Sequence, residues 1–279
     1  MNKHTKLLVK VCVLTKNEEK DLPLCLQSLS KQFKDIIVLD SGSNDRTLEI
    51  AKNFGCEILV NTLPGKFALG KQRAWLLSNQ KKFCEYILFI DADETISSNF
   101  EFIITNAITQ DNFSIECYEL PLLYKYHDKF IKSLGNPNWH DRLVKTTANF
   151  NDSVYEYVKT NKRKKIKNLI VHHHWNSKGL NKFINKHLFY AEYLASESIY
   201  EYRNKKHFKI KQKTNILKII TKNLGFLRPP LRFIYHYIFK FGFTEGKEGF
   251  IVAIHMAIFE FFIQLYKIEN TRKIDNKRL

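Results

Sequence analysis

Five apolar residues in succession, Tyr86 to Ile90, run directly into Asp91-Ala92-Asp93-Glu94. A run this short and continuous suits a strand buried on both faces whose charged end reaches solvent. Two earlier runs share the design: Leu7 to Leu14 ends in Thr15-Lys16-Asn17-Glu18, and Asp35 to Asp40 ends in Ser41-Gly42-Ser43. Helical patterns lie between them. Leu22, Leu26 and Leu29 share one face, with Pro23 in a first turn, and Ile50, Ala51 and Phe54 are expected to point inward behind a start capped by Asn44 or Asp45. Cys56 to Val60 reads as a third strand and Phe67 to Asn79 as a helix. Apolar strands alternating with helices imply a parallel sheet covered on both faces, with ligands beyond the carboxyl ends of its strands. The three polar tips then meet at one edge. Residues i and i+2 of an extended segment point the same way, so Asp91 and Asp93 are expected to share one divalent cation, magnesium or manganese, which hard oxygen ligands suit.

After Glu94 the pattern changes. A helix over Ser98 to Thr109 is followed by strand-like pieces at Tyr118 to Tyr124, Trp139 to Val144 and Val154 to Val158, an antiparallel or mixed extension. From Ser177 onward the chain reads as mainly helical. Lys and Arg outnumber Asp and Glu by 45 to 28, a net charge of +17, which implies an anionic partner: nucleic acid, an acidic membrane surface or a phosphorylated substrate. The basic run Lys162 to Lys167 reads by itself as a solvated loop. Five cysteines at 12, 25, 56, 84 and 117 form no C-x-x-C pair, so neither a zinc site nor a redox motif is indicated, and their odd number suits a reducing cytosol. No uninterrupted apolar stretch reaches the ~18 residues of a spanning helix, and Leu7 to Leu14 is too short for a secretion signal. The chain is expected to lie on a membrane without crossing it.

Several nucleotide-binding motifs can be tested. No G-x-G-x-x-G occurs. Gly65-Lys-Phe-Ala-Leu-Gly70-Lys71-Gln72 matches a P-loop except at its last position, where Gln72 replaces the hydroxyl that holds magnesium. An EF-hand fails because Ile96 stands where its glycine is required. His172-His173-His174 cannot all point at one ion from a strand, and the segment reads as packed by Val171 and Trp175 with exposed imidazoles.

Three motifs then carry a resemblance. Val13-Leu-Thr15-Lys-Asn17-Glu18, Ile-Val-Leu-Asp40-Ser-Gly-Ser43-Asn-Asp45 and Phe-Ile-Asp91-Ala-Asp93-Glu94, in this order and at these separations, resemble the nucleotide-sugar domain of family-2 glycosyltransferases. The resemblance implies an α/β A-type glycosyltransferase fold: a mostly parallel Rossmann-like sheet with helices on both faces, plus a helical C-terminal region. It also implies that Thr15, Asn17, Glu18, Asp40 and Ser43 meet the uracil and ribose of a UDP-sugar donor, and that Asp91 and Asp93 reach the ribose and the metal on the diphosphate. Ser41 departs from the second Asp of many members. A closer resemblance, to the lipopolysaccharide inner-core glucosyltransferases acting on heptose, rests on Gly65 to Ala74, Asp141-Arg142-Leu143, Val154-Tyr155-Glu156 and Phe241 to Gly249. Tyr155 departs from their usual histidine. It implies that Lys71 and Arg73, with Arg142, lie near the diphosphate.

These implications divide the chain into a nucleotide-sugar-binding part (1–95), an acceptor and catalytic part of the same domain (96–175) and a helical, membrane-associating region (176–279). An inverting transfer requires one carboxylate to take the acceptor hydroxyl's proton, and Asp141 and Glu156 are the candidates. The expected partners are a UDP-sugar, a lipid-linked core oligosaccharide and an anionic membrane surface at the cytoplasmic face of the inner membrane, with no nucleic acid. Arg228, Arg232, His236 and Lys240 recur every fourth residue and are expected to form a polar stripe toward headgroups, with aromatics toward the acyl region. The expected reaction is transfer of glucose from UDP-glucose to heptose; the rival readings are a family-2 glycosyltransferase using another nucleotide sugar on another surface-glycan acceptor, a P-loop nucleotidase, and a nucleic-acid binder prompted by charge alone.

Overall fold

The computed structural model describes residues 7–62, 69–126, 129–135, 138–150, 157–175, 177, 179–204 and 224–275. The chain forms two compact units, one from residues 1–128 and 136–177, the other from 129–135 and 178–279.

The first unit begins as strand β1 (Leu7–Thr15), helix α1 (Leu22–Ser30), β2 (Ile36–Asp40), α2 (Thr47–Asn53), β3 (Glu57–Val60), α3 (Leu69–Gln80) and β4 (Cys84–Asp91). These four strands are mutually parallel in the order β3-β2-β1-β4. Alternation along each strand feeds two cores. Val11, Val13, Val38, Leu88 and Ile90 pack with Leu22, Leu26 and Leu29 of α1, while Cys12, Leu14, Ile37, Leu39 and Phe89 pack with Leu76 and Leu77 of α3. Register then levels the tips: Thr15 pairs with Asp40, and Leu14 with Asp91.

A mixed half follows, comprising β5 (Glu94–Ile96), α4 (Phe100–Gln110), β6 (Cys117–Tyr126), β8 (Asn138–Lys145), β9 (Arg163–Lys165) and β10 (Val171–Trp175), with a two-residue strand β7 (Lys129–Phe130) belonging to the second unit. Strand β8 runs antiparallel between β4 and β6; β10 is parallel to β6, and β5 closes the order antiparallel to β10. The fold is the expected α/β sheet with a parallel first half. Of the piece at Val154 to Val158, residues 151–156 lie outside the described ones, and Val158 makes an isolated bridge to Phe150. Phe54 is 39% exposed because α2 stops at Asn53, leaving it at the cap. All five cysteines are free.

The basic run contains strand β9, whose lysines stay exposed to solvent while pairing with acids. Lys162 meets Glu116, Arg163 meets Glu119 and Asp141, Lys164 meets Asp111, and Lys165 meets Glu119 and stacks on Trp139. Pairing of β9 with the acidic start of β6 absorbs the charge.

The second unit contains α5 (Leu180–Asn204), α6 (Arg228–Ile234), a π-helical turn over Tyr235–Phe239, a 3-10 turn over Gly242–Glu245 and α7 (Gly246–Ile274). Two glycines join these pieces. A Cβ on Gly249 would stand 2.0 Å from the Gly242 carbonyl oxygen, so turn and helix touch backbone to backbone. Glu245, next in the turn, accepts from the Lys132 and Ser133 amides and, at 2.6 Å, from the Ser133 hydroxyl.

The expected cationic stripe is corrected here. Arg228 Nε meets buried Glu260 at 3.0 Å, and His236 is buried with Nδ1 on the Ser133 carbonyl at 2.9 Å. Arg232 loses solvent to burial, which lowers its pKa against the pull of Glu260. These residues face inward, because α7 brings an acid against α6, and the apolar side chains face out. Gly242–Ile274, 33 residues, is also long and apolar enough to cross a membrane by length and composition. Its interrupting polar residues Glu260 and Gln264 lie buried, bonded to each other at 2.8 Å.

Candidate active site

At the carboxyl edge of the parallel strands, Asp40 is fully buried. Its Oδ1 accepts the Thr15 hydroxyl at 2.8 Å and the Ser43 hydroxyl at 2.5 Å, and its Oδ2 accepts the Gly42 and Ser43 amides at 2.9 and 2.8 Å. One carboxylate thus folds the whole turn after β2 around itself. The turn after β1 is clasped to it. Asn17, at φ +57°, donates its amide to Ser43 Oγ and receives the Asn44 amide on its side-chain oxygen, both at 2.8 Å, and the Glu18 amide donates to Thr47 Oγ1 at 2.8 Å. Asp45 accepts the Thr47 amide at 3.0 Å from one residue before the helix start; the N-cap position itself is Arg46, not the expected Asn44 or Asp45, and carries no side-chain cap. Thr15, Asn17, Glu18, Asp40 and Ser43 therefore belong to one assembly.

The tip of β4 is held differently from what strand alternation implies. The strand ends at Asp91, and Ala92 and Asp93 form a turn, so the two carboxylates do not alternate along one extended segment. The Asp91 amide donates back to Glu94 Oε2 at 2.9 Å, closing that turn. Asp91 Oδ1 takes Nη2 of fully buried Arg73 at 3.2 Å, and Oδ2 takes Nη2 of buried Arg142 at 3.0 Å. Burial works to raise the Asp91 pKa, but the two guanidiniums outweigh it and hold the carboxyl well below the usual carboxylate range. Glu94, buried beneath, also receives Arg142, at 2.5 Å; burial nevertheless dominates there and pushes its pKa up to about 8. Arg73 additionally donates to the Asp141 carbonyl at 3.4 Å and lies over the Phe89 ring.

Asp93 faces His173, one of the imidazoles expected from the sequence to be exposed. His173 Nδ1 lies 3.4 Å from Asp93 Oδ1 and 3.8 Å from Glu94 Oε1, with its side chain 13% exposed and its ring edge-on to Tyr124. The imidazoles of β10 are partly buried, not exposed, because β10 is an inner strand between β6 and β5. Its neighbour His174 engages Thr95 at 3.2 Å. The only sequence signal was the strand periodicity, which places His173 opposite His172 and His174 and hence toward the acidic tip.

The donor set fits a magnesium or manganese ion. Asp91 is ionised, 33% exposed and engaged by one nitrogen per oxygen, leaving lone pairs open; Asp93 is a second hard oxygen donor two residues on. Among the described residues no three His, Cys, Asp or Glu side chains converge on one point.

Lys71, in the first turn of α3, is exposed. Gln72 beside it is buried, its amide nitrogen on the Asn61 carbonyl at 2.6 Å and on Ser41 Oγ at 3.2 Å, so the position a P-loop needs for its hydroxyl serves as an internal clasp. Asp141 is buried as well: Oδ2 accepts the Val158 amide at 2.8 Å and Oδ1 takes Arg163 at 3.0 Å. Glu156 lies outside the described residues.

A sheet whose parallel half ends in a rim of clasped turns, beside an arginine-fixed carboxylate, is the architecture of an A-type glycosyltransferase domain. The model described as "Glycosyl transferase family 2" matches residues 10–232, and the chain belongs to that family. It is 26% identical to an uncharacterized glycosyltransferase of Rickettsia prowazekii, over 94% of this chain and 87% of that one. It is 29% identical to the glycosyltransferase SunS of Bacillus phage SPbeta, over 51% of this chain and 35% of that one. Among solved structures, S. aureus TarS 1–349 in complex with UDP-GlcNAc is 16% identical, with a TM-score of 0.45, covering 97% of this chain and 93% of that one.

Proposed function

We propose that this glycosyltransferase is inverting and metal-dependent, and that it moves glucose from UDP-glucose onto the heptose of a lipopolysaccharide or lipooligosaccharide inner core. The acceptor is lipid-linked, and the enzyme works on the anionic cytoplasmic face of the inner membrane. The observation that carries the donor half is the Arg73–Asp91–Arg142 bridge, which keeps a carboxylate charged and oriented at the tip where the β1 and β2 turns meet. The acceptor half rests on the sequence resemblance running from Gly65 to Gly249.

Thr15, Asn17, Glu18, Asp40 and Ser43 form the rim for uracil and ribose. Asp91 and Asp93 would hold a divalent cation, which supplies Lewis-acid neutralisation of the departing diphosphate. Arg73 and Arg142 are committed to Asp91 and act through it; exposed Lys71 is assigned to the phosphates. In the reaction the bond from the anomeric carbon to the diphosphate oxygen breaks with its electron pair leaving on UDP. The acceptor oxygen bonds to that carbon from the opposite side, and its proton passes to a carboxylate. Both Asp141 oxygens are already engaged, and the Val158 amide it fixes is two residues along the chain from Glu156. We assign proton removal to Glu156 and the anchoring of its segment to Asp141.

The test is a UDP-sugar panel assayed by UDP release with purified lipid-linked core acceptor, with and without manganese. Acceptor-dependent release with UDP-glucose alone supports the proposal. Release with another donor, or on acceptors lacking heptose, refutes the specificity; ATP hydrolysis without sugar transfer refutes the whole reading.

A further inference from the structure

We infer that the outward stripe of α7, with the turn over Ile238–Phe243, is the surface by which this protein sits on an anionic bilayer; this rests on the membrane reading above and names where contact is made. The second unit is built with polar groups inside and apolar groups outside. Along α7, Glu260 and Gln264 are buried and bonded to each other, and Glu260 takes Arg228. Phe250, Ile254, Ile258, Phe261, Leu265 and Ile268 are all exposed. Their spacings of four, four, three, four and three residues trace one stripe on the helix. On a helix packed against a water-soluble core that stripe would face inward. Here the opposite side of α7 is already occupied: His255 meets Phe183 and Phe259 meets His187 of α5, and Asn270 bonds Ser196.

The turn continues the apolar face. Ile238, Phe239, Phe241 and Phe243 are exposed, Phe239 to 68%, with Phe241 held at φ +58° by the glycine contact behind it. An exposed apolar surface of this extent marks an interaction site.

Charge selects the occupant. The second unit holds 22 Lys and Arg against 8 Asp and Glu, so it carries +14 of the chain's +17. Half of its acids are taken up internally: Glu245 by residues 132 and 133, Glu248 by Lys129, Glu260 by Arg228 and Glu269 by Lys273. A surface that must be apolar over an entire helix stripe and anionic around it is what a lipid interface supplies. Because α5 and α6 pack along the same helix that carries the stripe, α7 lies in the interface plane.

The experiment is flotation of the full chain with phosphatidylcholine vesicles, with or without phosphatidylglycerol, comparing wild type with I254Q/I258Q/L265Q. Wild type is expected to float with phosphatidylglycerol vesicles, and the triple variant's bound fraction to fall roughly ten-fold or more with its circular dichroism unchanged. In a second arm, Phe239→Trp is expected to add a blue-shifted emission quenched by brominated lipid. If wild type and triple variant float alike and the introduced indole stays unquenched, this surface is wrong and the membrane reading stands. If wild type floats with neither vesicle, both fall. If the triple substitution instead converts a dimer to a monomer, a second copy covers the stripe and the inference is overturned.

Discussion

Arg163 and Asp141 face each other at 3.0 Å, and the same guanidinium donates to the Val158 carbonyl at 2.8 Å and lies over the Tyr157 ring. Asp141 completes the clamp from its other oxygen by accepting the Val158 amide. Both oxygens of this carboxylate are thus engaged by residues 158 and 163, which is why we assign it an anchoring role and assign proton removal to Glu156.

The two assignments separate by substitution. Glu156→Gln is expected to lower kcat for sugar transfer by ~10²–10⁴, the usual contribution of a positioned general base, with the thermal midpoint nearly unchanged. Asp141→Asn is expected to cost about 1.5–3 kcal/mol of stability by weakening bonds to a charged group, while turnover at low temperature stays within an order of magnitude. The reverse pattern would return the base to Asp141.

At the donor edge, Asp91 and Asp93 divide their work. Removing the charge of Asp91 leaves Arg73 buried without its anion, so Asp91→Asn is expected to cost about 3–5 kcal/mol as well as abolishing transfer. Asp93 has the His173 imidazole beside it where Asp91 has two buried guanidiniums, so Asp93→Asn is expected to lose transfer with little change in urea midpoint. Stripping divalent cations with EDTA should stop the wild-type reaction, and manganese titration should restore it with a far weaker midpoint in Asp93→Asn. Full activity after EDTA would remove the metal from the proposal.

How much of this was legible in the sequence varied with how local the cause was. The parallel half was readable because Val11 to Leu14 and Ile36 to Leu39 are apolar without interruption, and each ends in residues that only a strand tip can use. Strand alternation does not describe the D-x-D pair, since Asp93 sits in a turn closed by Glu94 and not on the strand. That Arg73 and Arg142, 69 positions apart, converge on one carboxylate has no local signature; it depends on β8 inserting antiparallel beside β4. The i+4 spacing of Arg228, Arg232 and His236 was plain, but its direction was not. An acid 32 residues after Arg228 decides which side of α6 faces inward.

Stability should fall with acid through His236. Burial, reinforced by Arg232, pushes its pKa down from 6.5 to about 4. Above pH 6.5 the imidazole is neutral folded and unfolded, and its contribution is fully present. Between pH 6.5 and 4 the unfolded chain takes up a proton that the folded chain refuses, so stability drops, by about 3 kcal/mol over the whole window. Urea unfolding followed by helical circular dichroism at pH 7.5 and 4.5 should show the loss, and His236→Gln, which keeps a donor for the Ser133 carbonyl, should flatten that part of the slope. An unchanged slope in the variant would assign the acid sensitivity elsewhere.

The last prediction concerns the joint between the aromatic turn and α7. At Gly249 a methyl group would meet the Gly242 oxygen at 2.0 Å and Glu245 Cβ at 2.8 Å. Neither neighbour can yield: the first is backbone, and the second is fixed by a carboxylate holding residues 132 and 133. Gly249→Ala is therefore expected to destabilise the second unit by on the order of 3 kcal/mol or more, at the upper end for overpacking, despite alanine's better helix propensity. Lys247→Ala, two residues away and exposed, should change the urea midpoint little. Because the residues proposed for glycosyl transfer all lie in the first unit, Gly249→Ala should retain UDP-sugar binding by calorimetry while losing helical signal at lower urea. If both variants unfold with the wild type, turn and helix do not meet backbone to backbone.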